Sequence, residues 1–182
     1  MRVCDVNSSY SFTGGGIRIY HNRKLEYFSR HPQHSAALVV PGERTETRRR
    51  GSSTVHTIAS PPFVTRGYRM ILDSGALNSA LLDIAPDIVE VGSPYLLPGM
   101  VRRLLRGSVP TVGFYHTDFP HCYVRPYARR IFPATVARRL VKLAEVHVKR
   151  SYCGMTAVFA ASRCMLEKLR KMGVRNVIYT PL

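Results

Sequence analysis

Short apolar runs alternate with segments of helical period along nearly the whole chain. Residues 2–6, 35–40, 55–59, 85–92, 111–115, 156–161 and 176–179 are rich in Val, Ile, Ala and Phe, and each is bounded by polar, Gly or Pro residues. Between them lie stretches whose apolar positions recur every three or four residues. Residues 17–29 carry Ile17, Tyr20, Tyr27 and Phe28 on this spacing, and residues 70–83 carry Ile71, Leu72, Ala76, Leu77, Ala80 and Leu81. A helix ending near Arg106 turns Val101, Leu104 and Leu105 inward and Arg102, Arg103 and Arg106 outward, and Gly107 stops it. Residues 123–151 are helical in pattern with a broken start at Pro126 and Pro133. Residues 163–172 form a helix capped by Ser162 and ended by Gly173.

About seven strands alternating with helices predict an α/β fold, a Rossmann-like doubly wound parallel sheet, because strand–helix–strand crossovers are right-handed and cover both faces. Residues 43–53 read as a polar loop with Arg48, Arg49 and Arg50 at a solvated tip. Glu90 is out of place in a buried strand, and its carboxylate is expected at a polar layer or a sheet edge.

Composition narrows the class. The chain has 182 residues, 45% of them hydrophobic, enough for one good core. No apolar run approaches the ~20 residues of a membrane span, and residues 1–7 hold no apolar signal core. Cys4, Cys122, Cys153 and Cys164 form no CxxC pair, so neither a zinc site nor a disulfide framework is expected, and free thiols in a reducing cytosol are the simple reading. The net charge of +16 admits an anionic membrane surface, a phosphorylated substrate or nucleic acid, or a solvated set of helix faces. No nucleic-acid-binding signature accompanies it, and nucleic acid is the least supported of these.

Three places carry candidate chemistry. The run from Val112 to Tyr115 breaks abruptly into His116 and Asp118, as at the C-terminal end of a parallel strand, where open α/β sheets bind ligands. Gly14, Gly15 and Gly16 lie between the first strand and the first helix, where glycine and a helix N-terminus together suit a phosphate; a flexible connector fits the sequence equally well. Tyr68 and Arg69 stand at the mouth of the helix predicted over 70–83. An arginine there can grip a phosphate or carboxylate, or simply solvate a first turn. The first turn lacks GxGxxG and no acidic residue ends the second strand, which disfavours a dinucleotide-dependent dehydrogenase.

Several segments, in order, resemble the N-terminal half of glycosyltransferase family four, the retaining GT-B enzymes, in particular GDP-mannose-dependent α-mannosyltransferases and related glycolipid glycosyltransferases. They are Thr13-Gly-Gly-Gly-Ile-Arg18, Val39-Val-Pro-Gly42, Ser60-Pro-Pro62 with Gly67-Tyr-Arg69, Pro86-Asp-Ile-Val-Glu-Val-Gly-Ser-Pro-Tyr95, Phe114-Tyr-His-Thr-Asp-Phe-Pro120, Val158-Phe-Ala-Ala-Ser162 with residues 165–173, and residues 177–182. The resemblance implies that Gly14, Gly15 and Gly16 approach the donor diphosphate, that His116 faces the transferred sugar, and that Tyr68 and Arg69 serve the acceptor. Asp118 matches a motif position grouped here with the acceptor residues, without an assigned role. It further implies a nucleoside-diphosphate sugar as donor and a lipid or phosphorylated acceptor at the cytoplasmic, inner face of a membrane; no carboxylate cluster stands out for a metal, and no cofactor is expected. The family's second, donor-binding domain has no counterpart in residues 1–182. Little transfer is therefore expected from these residues alone, and a C-terminal-half protein is a candidate partner. The alternative is a non-catalytic binding module or truncated remnant docking on a partner or a membrane.

Overall fold

The computed structural model describes residues 1–8, 10, 15–62 and 68–181. Its centre is an eight-stranded sheet in the order β3-β4-β2-β1-β5-β6-β7-β8, with β1 (Arg2–Val6), β2 (Ser35–Gly42), β3 (Glu46–Arg50), β4 (Ser53–Ala59), β5 (Ile88–Val91), β6 (Thr111–Tyr115), β7 (Ala157–Ala160) and β8 (Val177–Tyr179). Every pairing is parallel except β3 with β4. The chain runs from β1 outward to β2 and β4, then returns to β5 on the other side of β1 and continues through β6 to β8. The reversal between β1 and β5 is a topological switch point, and the loops leaving the C-terminal ends of these strands diverge there to leave a crevice.

Helices cover both faces. Helix α1 (Gly16–Ser29) packs Leu25 and Phe28 on Val3, Leu38 and Val40. The opposite face carries α2 (Ser74–Ile84), α3 (Leu97–Leu105), α5 (Ala134–Tyr152) and α6 (Arg163–Lys171). These bury Leu77, Leu81, Val101, Val148, Tyr152 and Leu169 against Val6, Val39, Val91 and Val158. A short α4 (Arg125–Ile131) precedes α5. Strand alternation decides which side chain meets which layer. Val3 and Asp5 face α1, whereas Cys4 and Val6 face the larger core.

The sequence pattern and the structure differ at two places. Residues 43–53 contain a strand, β3, all of whose residues are exposed. It is an antiparallel edge ribbon held by backbone pairing to β4, so no apolar period marks it, and its three arginines protect the open edge from further pairing. The helix expected from residue 70 begins at Ser74, because the Asp73 carboxylate accepts from the Ala76 N–H and caps it. The basic stretch 123–151 has the broken start that its prolines predict. A π-helical turn, Pro120–Val124, leads into α4, and Pro133 separates α4 from α5.

Candidate functional site

Three neighbouring strands, β1, β5 and β6, each deliver a buried polar group just past their C-terminal ends. Ser8 Oγ, Ser93 Oγ and both ring nitrogens of His116 are buried and have no hydrogen-bond partner among the described residues. Unpaired buried polar atoms are costly and rare, so their convergence at the switch point marks this edge as the site. Ser8 and His116 line a cavity of about 540 Å³.

His116 follows the alternation of β6 and turns toward α1. Its ring stacks on Phe114 with centroids 4.0 Å apart, and Tyr20 meets it edge-on at 5.2 Å. Burial first, then the His21 ring, lower its pKa to about 3; Asp5 opposes them, and the Lys24 ammonium adds the least. At neutral pH it is an uncharged imidazole, able to donate one hydrogen bond and accept another.

Behind His116 lies a buried polar layer. Asp5 and Glu90 are register partners on β1 and β5, and Lys24 of α1 reaches both, at 2.6 and 2.8 Å. The Tyr20 hydroxyl donates to Glu90 at 3.0 Å. His21 bonds Asp5 through Nδ1 at 3.0 Å and Asn7 through Nε2 at 2.9 Å. With Asp5 accepting at Nδ1, the Nε2 atom receives the Asn7 amide hydrogen. Burial pushes both carboxyls up. For Asp5, Lys24 and His21 overcome this and the net is a lowering; for Glu90, burial and the Asp5 charge prevail and it is raised. The carboxylate expected in a polar layer or at an edge therefore lies in a polar layer at the sheet's centre. Sequence reading missed the partners Asp5, His21 and Lys24, although the 21/24 spacing on one helix face offered a signal.

The glycine loop enters at the same edge. Gly15, with φ +99°, precedes the first turn of α1 in a conformation that favours glycine, and a Cβ on Gly15 or Gly16 would meet nothing within 4 Å. Ile17, next in the chain, lines the cavity. Gly14 lies outside the described residues.

Tyr68 and Arg69 also line the cavity, in the loop before α2 rather than at its mouth. Arg69 is the one charged lining residue among those described, and it is already engaged, donating to the Ser60 carbonyl at 2.8 Å and the Glu43 carboxylate at 2.9 Å. Asp118 does not line the cavity. It is buried and accepts from Tyr115, His121 and Lys168, while its backbone carbonyl accepts from the His121 and Cys122 amides. These contacts anchor the π-helical turn and α6. Thr117 and Phe119, on either side of it, face the cavity instead.

Most of the wall is aromatic and aliphatic. Tyr95 meets Phe119 edge-on at 4.9 Å, and Phe119, Tyr123 and Tyr127 line the cavity at four-residue intervals, with Ile131, Phe132 and Leu140 beyond. That interval was the available sequence signal for the wall. On the opposite rim His147 bonds the carbonyls of Pro94 and Tyr95, at 2.9 and 3.1 Å, and so fixes the loop after β5. Among the described residues no group of three or more His, Cys, Asp or Glu side chains is arranged to hold a metal ion, and no helix is long and apolar enough to cross a membrane.

A doubly wound domain with its crevice at the β1/β5 switch point is the architecture of one half of a GT-B glycosyltransferase. Residues 14–182 match the family described as Glycosyltransferase Family 4, and the chain belongs to that family. Among solved structures it is similar to sucrose-phosphate synthase from Thermosynechococcus elongatus, with a TM-score of 0.69 at 10% identity over 100% of this chain and 48% of that one. It is also similar to UGT2 of Phytolacca americana, complexed with UDP-2fluoro-glucose and pterostilbene, with a TM-score of 0.55 at 11% identity over 99% of this chain and 53% of that one. The chain thus spans about half the length of these structures. No curated protein matches it in sequence.

Proposed function

We propose that these residues form the acceptor-side half of a retaining hexosyltransferase that moves a mannosyl group from a nucleoside-diphosphate sugar, GDP-mannose, onto an acceptor with a substantial apolar part. The observation that carries this reading is the cavity, whose one end holds the neutral imidazole of His116 and whose walls are aromatic. Such a pocket buries the apolar body of a ligand and leaves a few polar groups to orient the reacting end. His116 then hydrogen-bonds a hydroxyl at the transferring sugar, and the amide end of α1 after Gly15 and Gly16 approaches the diphosphate.

Transfer also needs positive charge where the diphosphate leaves. Arg69 is the nearest candidate in the cavity and is neutralised by Glu43. The further charge is expected from a second, donor-binding domain, in the same chain or a partner chain, and residues 1–182 alone are expected to bind acceptor without turning it over. Attachment at the inner face of a membrane belongs to the same reading.

The test is calorimetric titration of residues 1–182 with GDP-mannose, UDP-glucose and an alkyl mannoside as acceptor probe, with a transfer assay on the same sample. The alkyl mannoside is expected to bind, Phe119→Ala to weaken it roughly tenfold, and transfer to stay at background. Failure of the probe to bind, or indifference to Phe119→Ala, would refute the acceptor reading, and turnover would refute the need for a second domain.

A further inference from the structure

The outer lip of the cavity is a corner between α4 and α5 that none of the described residues covers. Tyr127 is 59% exposed, Ile131 69% and Phe132 45%, and Pro133, Ala134 and Val136 continue the apolar surface around the turn. Isolated apolar residues on a surface need no explanation, but a contiguous patch of large side chains marks an interaction site. The patch has a cationic border. Arg125, Arg129 and Arg130 precede it, Arg138, Arg139 and Lys142 follow, and all six are exposed. Residues 119–144 contain no aspartate or glutamate.

We propose that this corner docks on an anionic lipid bilayer, with Ile131 and Phe132 entering the headgroup boundary and the flanking arginines meeting lipid phosphates. An apolar wedge between cations is the pattern that binds such an interface, the wedge through buried area and the cations through the surface potential. The rim of a protein–protein interface is polar without a fixed sign, whereas the absence of any carboxylate over 26 consecutive residues favours a surface uniformly negative.

The same side chains line the cavity. Tyr127, Ile131 and Phe132 are at once its outer wall and the exposed corner. Docking would therefore set the cavity mouth at the membrane, so that an amphiphilic acceptor could move sideways from the bilayer into the aromatic trough. This part rests on the acceptor reading above, and the docking gives the membrane attachment of that reading a surface; its test involves no sugar transfer, so either can fail without the other.

The chain has no tryptophan, so Phe132→Trp introduces a single fluorescent reporter at the corner. Vesicles of phosphatidylcholine mixed with phosphatidylglycerol are expected to shift its emission to the blue and brominated lipid to quench it, whereas phosphatidylcholine alone should do neither. In co-sedimentation, Ile131→Ser with Phe132→Ser is expected to weaken binding to the mixed vesicles by roughly tenfold. Arg129→Glu with Arg130→Glu should weaken it at least as much. Arg48→Glu with Arg49→Glu is the control, because β3 stands five strand positions from β6 and shares the chain's overall positive charge but not the corner. It should change binding less than threefold or so. Equal losses from the two charge reversals would show diffuse attraction and overturn the proposal. So would an unshifted tryptophan on bound protein, or indifference to the serine pair. Far-ultraviolet circular dichroism of each variant confirms that it is folded before it is scored.

Discussion

Lys168 places its ammonium on the buried carboxylate of Asp118, fifty residues earlier, and thereby ties α6 to the segment that leaves β6. Burial pushes the Asp118 carboxyl up, but hydrogen bonds from Lys168 and His121 together outweigh it and the net is a lowering. A lowered carboxyl contributes stability that is present above its unfolded pKa of about 3.9 and disappears as pH falls through the folded value. Asp118→Asn is therefore expected to destabilise at pH 7 and to converge with the wild type as pH falls through the folded carboxyl's value. Denaturant unfolding at a series of pH values reads this directly. Lys168→Met should cost less, about 1 kcal/mol or under, since the lysine is partly exposed and its charge is screened.

Lys24 is the only ammonium touching either Asp5 or Glu90 among the described ion pairs. Its own pKa is raised: burial opposes the charge, and the two carboxylates more than restore it. Lys24→Met removes the cation and leaves two buried carboxyls side by side, which is expected to cost roughly 3–5 kcal/mol at pH 7. Both carboxyls would then ionise less readily folded than unfolded, so the variant should be relatively more stable at pH 5 than at pH 8, the same sense as Asp118→Asn but displaced to higher pH. Adding Glu90→Gln should recover part of the loss, and a double-mutant cycle measures how much. A cycle with no coupling would mean that the layer is not a unit.

His116, like Asp118, costs the fold stability on acidification, but from a higher pH. Its folded pKa of about 3 lies below the ordinary histidine value of about 6.5, so acid protonates the unfolded chain first and draws the protein toward it. His116→Phe removes that pull and keeps the stack on Phe114. The variant is expected to gain stability relative to the wild type as pH falls below about 6.5, with no such gain at pH 8. An imidazole titration by nuclear magnetic resonance that showed His116 protonating near 6.5 would contradict the neutral role assigned to it.

Gly113 sits in the middle of β6 with the ring of Tyr152 against it. A Cβ there would lie 2.4 Å from Tyr152 Cε1 and 2.9 Å from the Met155 sulfur. Tyr152 is wholly buried and cannot yield without moving α5. Gly113→Ala is expected to destabilise by about 2–3 kcal/mol through overpacking, seen as a lower denaturant midpoint at unchanged slope.

Fold and site were legible in the sequence to different depths. The apolar runs and helical periods were enough for a parallel doubly wound sheet, because strands buried on both faces and helices buried on one leave distinct periods. The antiparallel β3 was not legible, since an exposed edge strand buries nothing. His116 stood out because an apolar strand broke into polar residues beside it, and the structure brings it to the same cavity as Tyr68, Arg69 and Ile17. Asp118 stood out for the same reason, yet it packs toward α6. The segment leaving β6 turns Thr117 and Phe119 toward the cavity and Asp118 the other way, and Lys168, far off in sequence, completes the anchor.

The sequence by itself determined the class of fold, the order of its elements and the edge of the sheet at which polar residues gather. All three follow from local period and from the single hand of the crossovers. Only the tertiary structure decided the partners: that Asp5, Glu90 and Lys24 form one buried layer, that Phe119, Tyr123 and Tyr127 wall a cavity with Tyr95, and that Ile131 and Phe132 stay uncovered. Residue pairs brought together across different elements leave no trace in a local pattern, because their contact depends on how the elements stack and not on how each one is spaced.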